Sequence, residues 1–340
     1  MPIPVPPRAP GRPGRKVAVL GPIPRDHVTT HRGEVFDKYG CVLYTTAALS
    51  ALLGPQDVVV PVVHVRRRDE QPIKALLGHL RNVDLSMIRS HTDRGDEIDL
   101  TYVDQNVRHE LQSGFMHPIV PDDVEPVVDA DAFVCVPITD YEVPAPTLAY
   151  LKAHGTGTVL LDAHGPTVSL TPGGIRARRL WIDRDAWLPD VDILKMNLEE
   201  AGCSWFPPPG GDPARIGEPL PREQLPEFAA HCLRRGVKAV CVTLDEDGCA
   251  LYFSGPDGAL QEHLVPRIPV PTVVDTTGCG DSFAAGMAFG HLEFGDFVAA
   301  AQYGNAMGAQ RASGSDLSVY RDLPRTTTQI RAAYGTVGAA

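Results

Sequence analysis

A series of short, continuous apolar runs separated by helix-length segments is what most constrains this chain. They lie at Lys16–Gly21, Val58–Val65, Ala132–Val136, Thr158–Asp162, Ile193–Met196 and Ala239–Thr243. Runs without polar alternation mark strands buried on both faces. Pro61 interrupts the second run and argues for an edge strand or a break. Between the runs, Tyr44–Leu53 has helical apolar spacing and stops at Gly54, while Glu70–Leu80 and Ala145–His154 read as further helices. Ala250–Phe253 follows the last run as another strand. Strands alternating with helices predict an α/β fold, doubly wound, with a mostly parallel sheet flanked by helices.

One region breaks the pattern. Ile98–Val103 and Arg108–Gln112 alternate polar and apolar residues around Gln105 and Asn106. That spacing predicts a half-exposed antiparallel hairpin, part of a small β-sheet attached to the main domain. Trp205–Gln224 is rich in Pro and Gly and reads as a surface loop. Residues 1–15 read as a disordered leader, or as a docking tail through Arg8, Arg12 and Arg15; residues 326–340 read as a C-terminal tail. The domain between them spans 16–325.

Composition narrows the function classes. With 43% hydrophobic and 21% charged residues, 340 residues can bury a sizeable core. A net charge of −11 opposes binding to nucleic acid or an anionic membrane, which relies on Lys and Arg. No apolar stretch is long enough to span a bilayer. The seven cysteines form no CxxC pair, which argues against a disulfide framework or zinc site and fits a reducing cytoplasm.

The strongest local signal is Val273–Ala288. Val273 and Val274 are read as a strand end, and a Gly-rich turn through Gly278, Cys279 and Gly280 leads into a helix opened by Asp281. Ala284, Ala285 and Gly286 allow that helix to pack closely. Such a turn offers free N–H groups and the positive end of a helix dipole to an anion. Taken alone, it reads equally as an N-capped helix start and as an anion cradle with a catalytic base.

The run Asp275-Thr276-Thr277-Gly278-Cys279-Gly280-Asp281 resembles the Asp-Thr-x-Gly-Ala-Gly-Asp signature of the ribokinase-like (PfkB) carbohydrate kinases, with Cys279 where Ala is usual. The resemblance implies that Asp281 is the catalytic base and that Gly278, Cys279 and Gly280 form an anion hole. It implies ATP as donor with Mg²⁺. Asn197 and Glu200, in Asn197-Leu198-Glu199-Glu200, would organise the metal largely through water, with Asn197 also facing the nucleotide. Lys195 beside them reads as a solvated lysine. Thr243, Asp245 and Gly248 resemble a nucleotide-binding turn, with Asp245 where Gly is usual, and Asn305 falls where the family approaches the adenine. Asp275, Thr277, Gly314 and Ser318 sit where many relatives hold a monovalent cation such as K⁺.

At the other end, Asp26, in Gly21–Asp26, resembles the family's acceptor-binding Asp. Gly40 and Tyr44 align with a Gly-Gly-x-x-x-Asn substrate motif, in which Tyr39 and Tyr44 depart from the pattern. The acceptor is therefore expected to differ from ribose: a sugar, a cyclitol or a nucleoside. Residues 24–36 and 97–118 match the family's lid, with Gln105, Asn106 and Arg108 reaching toward substrate. A homodimer through the lid is a further expectation. The reading is an ATP-dependent carbohydrate kinase. A nucleoside kinase of the same fold, a non-catalytic sugar or nucleotide sensor and a structural lid-mediated dimer are the alternatives. No GxxxxGK[ST] occurs, which excludes a P-loop enzyme.

Overall fold

The computed structural model describes residues 14–103, 108–205 and 217–338; Gln105, Asn106 and the Arg108 side chain lie outside them. Its strands are β1 Lys16–Leu20, β2 Arg25–Thr29, β3 Val35–Tyr39, β4 Val58–His64, β5 Ile88–Arg89, β6 Glu97–Tyr102 and β7 Arg108–Gly114. They continue as β8 Ala132–Cys135, β9 Thr158–Asp162, β10 Val168–Leu170, β11 Arg176–Arg178, β12 Ile193–Asn197, β13 Ala239–Thr243, β14 Cys249–Ser254 and β15 Leu260–Val265. The helices are α1 Val42–Leu52, α2 Arg67–Leu77, α3 Pro121–Val124, α4 Ala145–His154 and α5 Arg184–Trp187. After them come α6 Leu198–Ser204, α7 Leu225–Arg234, α8 Cys279–Phe294, α9 Phe297–Ala312 and α10 Leu323–Tyr334.

Nine strands form the main sheet in the order β15-β14-β13-β12-β9-β8-β1-β4-β5. From β13 to β5 every pairing is parallel, and β14 and β15 close one edge antiparallel. The expected doubly wound α/β architecture is present. β4 runs unbroken through Pro61, which pairs with Val19 of β1. On its outer side Val59 bridges to Val83 and β5 engages only Val63 and His64, so Pro61 sits between these two outer pairings.

From β1 the chain moves to β4 and β5 on one side, then returns to β8 on the other. The switch point therefore lies between β1 and β8, where α/β sheets place their ligand crevice. Gly21, just past β1, is tight here: a Cβ would fall 2.6 Å from the Val136 carbonyl oxygen. α8 packs against α9 with the same closeness. A Cβ on Gly286 would meet the Tyr303 carbonyl oxygen at 2.3 Å, so the small residues in α8 are a packing requirement.

The alternating segment folds into a separate four-stranded sheet, β3-β2-β6-β7, with β2 parallel to β6. A hairpin of β10 and β11 abuts β7 through a Leu111–Ile175 bridge. Among the described residues no helix is long and apolar enough to cross a membrane.

Several expectations are corrected. Val273 and Val274 end no strand; both are 57% exposed. Pro266, Pro269 and Pro271 lack N–H donors and stop the ladder after β15. Residues 326–340 are not a plain tail, because α10 occupies 323–334 and buries Thr326, Thr327 and Ile330. Arg15, grouped with the leader, is buried and paired to Glu293 at 2.5 Å. Most of the expected 205–224 loop lies outside the described residues.

Candidate active site

Chain direction and register build the site along one edge of the sheet. Asp162, Asn197 and Thr243 are the last residues of β9, β12 and β13. Lys195 pairs in register with Asp162, and Asn197 with Thr243. α1 and α8 close over this edge, pinned where the Thr45 hydroxyl donates to the Asp281 carbonyl oxygen at 3.2 Å.

Gly278 caps α8 at φ +83°, a left-handed conformation that a side chain strains to adopt. A Cβ there would also strike the Tyr44 ring, 2.3 Å from Cδ2. The N–H groups of the first helical turn lie beyond the reach of intrahelical carbonyls. The Cys279 amide turns back to the Thr276 carbonyl at 3.2 Å. The Cys279 thiol is pushed up to about 12, chiefly by burial, so it is an inert packing group at neutral pH.

Asp281 stands in the first turn of α8. Burial, followed by the charge of Asp162, raises its carboxyl to about 6, against the pull of Lys195. A group so placed is ionised at neutral pH yet basic enough to take a proton. Lys195 is not a solvated lysine. It is 5% exposed, bonded to Asp162 Oδ2 at 2.7 Å, and its Nζ lies 3.0 Å from where a Cβ on Gly280 would stand. Burial opposes its charge, but Asp162 and Glu200 outweigh that and keep the ammonium protonated. An ammonium thus faces the Gly-rich turn.

Asn197 and Glu200 form a capping box on α6: Asn197 Oδ1 accepts from the Glu200 N–H and Glu200 Oε2 from the Asn197 N–H, both at 2.8 Å. Glu200 Oε1 also accepts from His164 Nδ1 at 2.9 Å and Arg178 at 3.4 Å. Burial opposes its ionisation, but His164, Lys195 and Arg178 hold it down at about 2. Three of its roughly four acceptor positions are used, which suits a carboxylate that meets Mg²⁺ through water. The Asn197 oxygen is spent on the cap. That oxygen is the atom that Asn197 would offer to a metal.

The Thr243–Gly248 turn keeps a left-handed residue where the family places Gly: Asp245 has φ +49° and is exposed. The Thr243 hydroxyl donates to the Met196 carbonyl at 3.3 Å and ties β13 to β12. Asn305 is buried. Its amide nitrogen donates to the Val265 and Pro266 carbonyls and the Tyr334 hydroxyl, at 3.1–3.2 Å. That side chain fastens the segment after β15 to α10, and the structure does not aim its amide nitrogen at a donor.

The acceptor-end residues do converge. Asp26, on β2, is 5% exposed, and its Oδ2 lies 3.1 Å from the Cβ position of Gly40; Tyr44 Cε2 is 3.7 Å from the same point. Tyr44 then touches Gly278, so the residues expected at the acceptor and donor ends meet at one ring. Burial pushes its hydroxyl up to about 12. Tyr39 instead bonds Asp69 on α2 at 2.8 Å. Arg108 belongs to β7 by its backbone, and its side chain is outside the described residues.

At the residues expected around a monovalent cation, a side chain of the protein is already engaged. The Arg311 guanidinium donates to Asp275 Oδ2 at 2.7 Å and to the Gly314 carbonyl, so a fixed positive charge holds two of the four expected ligands. Ser318 is engaged by Asp316. Asp162, His164, Arg178 and Arg311 were missed because nothing local marks them. Each gains its role from a partner at least 22 residues away in sequence.

With the geometry in place, comparison with known proteins gives a consistent result. Residues 179–318 match the pfkB family carbohydrate kinase profile. The chain is 33% identical over 147 residues to 2-dehydro-3-deoxygluconokinase of Bacillus subtilis (strain 168), covering 43% of this chain and 40% of that protein. The chain thus spans less than half the length of this curated relative. Arabidopsis thaliana ribokinase complexed with ribose and ATP superposes with a TM-score of 0.69 at 19% identity, covering 94% of this chain and 99% of that one. A pyrophosphate-dependent kinase of the ribokinase family, complexed with a pyrophosphate analogue and myo-inositol, gives 0.67 at 17%, covering 93% and 99%.

Proposed function

We propose, since residues 179–318 match the pfkB family carbohydrate kinase profile, that this chain transfers the γ-phosphoryl group of ATP to a hydroxyl of a sugar or sugar-like molecule. The acceptor class is a hydroxyl of a sugar, cyclitol or nucleoside: a primary alcohol in a sugar or nucleoside, a ring hydroxyl in a cyclitol. The observation that carries the reading is Asp281: a half-buried carboxyl raised to about 6, at a helix N-terminus, beside a buried lysine.

In this reading Asp26 accepts hydrogen bonds from acceptor hydroxyls, and Gly40 lets the ligand approach the backbone. Arg108 belongs to the same substrate set. Asp281 takes the proton of the attacking hydroxyl as its oxygen forms a bond to the γ-phosphorus and the bridging P–O bond to ADP breaks. Lys195 and the N–H groups of Gly278 and Gly280 stabilise the charge on the transferred group. The turn at Thr243 and Gly248 positions the nucleotide. Glu200 would hold Mg²⁺ through water, and the ion would supply charge to offset the phosphates. The four-stranded sheet acts as the lid that excludes competing water. Exposed Val35 and Phe36 on its outer strand support a homodimer through this face. A cytoplasmic location accords with the unpaired cysteines.

Asn305 favours a second reading. With its amide nitrogen spent on Val265 and Pro266, pyrophosphate becomes a donor to set beside ATP. The experiment is product release from purified protein with Mg²⁺ and either donor, against a panel of sugars, cyclitols and nucleosides. One acceptor should release ADP or phosphate well above background. An acceptor that binds tightly and releases neither would make the protein a sensor.

A further inference from the structure

The Arg311 side chain is wholly buried, yet it is a permanent cation among few ligands. One η nitrogen meets Asp275 Oδ2 and the other caps Gly314. Its Cζ stands 4.5 Å from the Tyr44 ring centroid, within cation–π range. Each partner bears on the site. Asp275 Oδ1 accepts the Thr277 N–H at 2.8 Å, which shapes the turn leading to Gly278 and Gly280. Tyr44 packs against Gly278 and borders Asp26 and Gly40. Lys38, on β3 of the small sheet, reaches the same Asp275 oxygen at 3.5 Å. One guanidinium therefore joins the anion-binding turn, the acceptor-side aromatic and the 311–314 turn.

A buried arginine–carboxylate pair costs desolvation energy, and an apolar pair would fill the same volume at less cost. The guanidinium's planar fork, however, fixes two acceptors at set angles, which a hydrated ion on flexible ligands does less rigidly. We propose that Arg311 is a built-in cation that positions the Asp275–Gly280 turn, so that phosphoryl transfer by this chain needs no monovalent cation. Arg311 is a positioning residue: it acts through Asp275 and Tyr44. The proposal rests on the kinase reading above.

The test uses the full chain and has two readouts. The first is turnover in matched K⁺, Na⁺ and tetramethylammonium salts. Wild type should vary less than about two-fold, whereas Arg311→Ala should lose roughly 100-fold in kcat with a smaller change in acceptor KM. Added guanidinium should restore at least about ten-fold of that loss, because it refills the site between Asp275 and Gly314. The second readout is binding of a non-hydrolysable ATP analogue and of pyrophosphate by calorimetry, which needs no acceptor. Wild-type Kd should be the same in all three salts. Should Arg311→Ala fail to fold, Arg311→Lys decides, since one ammonium cannot satisfy both partners in the same geometry. It should keep wild-type melting and lose about ten-fold in kcat. Strong K⁺ stimulation of wild type, full activity of Arg311→Ala, or a loss that guanidinium leaves untouched would overturn the proposal. No turnover in any salt, with salt-independent donor binding retained, would instead overturn the kinase reading.

Discussion

The proposed donor side and the proposed acceptor side of the site are built in different ways. The donor side uses strand ends, a helix N-terminus and a capping box, so its groups are placed by backbone geometry. The acceptor side gathers Asp26 from β2, Gly40 from the loop before α1, and Tyr44 from α1. Asp26 and Tyr44 both border Gly40, and Asp26 comes from a small sheet that is separate from the main one. A side built from backbone tolerates little change in its motif. One built from side chains can be re-specified residue by residue, and the departures at Tyr39 and Tyr44 fall there.

The largest effect is expected where the donor side does its chemistry. Asp281→Asn should lower kcat roughly 10³-fold with little change in donor affinity, because only the base is removed. In wild type, kcat/KM should rise with pH through an apparent pKa of about 6, since the carboxylate is the active form. The linkage sign follows. A folded-state value above the ordinary 3.8 means that the proton binds more tightly in the folded protein, and ionising this group costs stability as pH rises through that window. Asp281→Asn should therefore melt no lower than wild type at pH 8. A mutant with wild-type turnover would end the base assignment.

Lys195→Met should come next, with a loss of about 100-fold in kcat. It leaves Asp162 and Asp281 facing each other without their shared ammonium, so the acid limb should also move above its wild-type position. Breaking a buried pair costs about 3–5 kcal/mol, and the melting temperature should drop accordingly. An unmoved pH limb would separate Lys195 from Asp281. On the acceptor side, Tyr44→Asn should change acceptor preference by roughly 10- to 100-fold while donor KM stays within about two-fold. A donor KM that shifts in step would mean that the Tyr44–Gly278 contact fuses the two sides.

These two constructions also explain what was legible in the sequence. The parallel sheet was readable because strands buried on both faces leave unbroken apolar runs. The Gly-rich turn was readable because its φ values and close contacts demand small residues in order. β15 was missed because Leu260–Val265 alternates burial at a sheet edge and carries no apolar run. Lys195 was misread because a charge inside an apolar strand is explained only by Asp162, 33 residues earlier in the chain and its neighbour in register. Arg311 hid in the same way: its carboxylate lies 36 residues upstream, and one sequence offers no sign that a cation site and a guanidinium coincide.

The smallest predicted effect tests whether the donor side is as constrained as its motifs imply. Asp245 holds φ +49° in the Thr243–Gly248 turn, a conformation that Gly adopts freely and Asp at some cost. Replacing it with Gly relieves that strain but adds freedom to the unfolded chain, so the terms nearly cancel and stability should rise by about 0.5 kcal/mol. The charge is the more telling part. Asp245 is exposed beside the proposed nucleotide turn, and a carboxylate there repels a polyphosphate through solvent. Asp245→Gly should lower donor KM about two- to five-fold at low ionic strength, and less at high salt, with kcat unchanged. A higher KM would show that the carboxylate is itself a donor contact, and that the donor side too has been re-specified by a side chain.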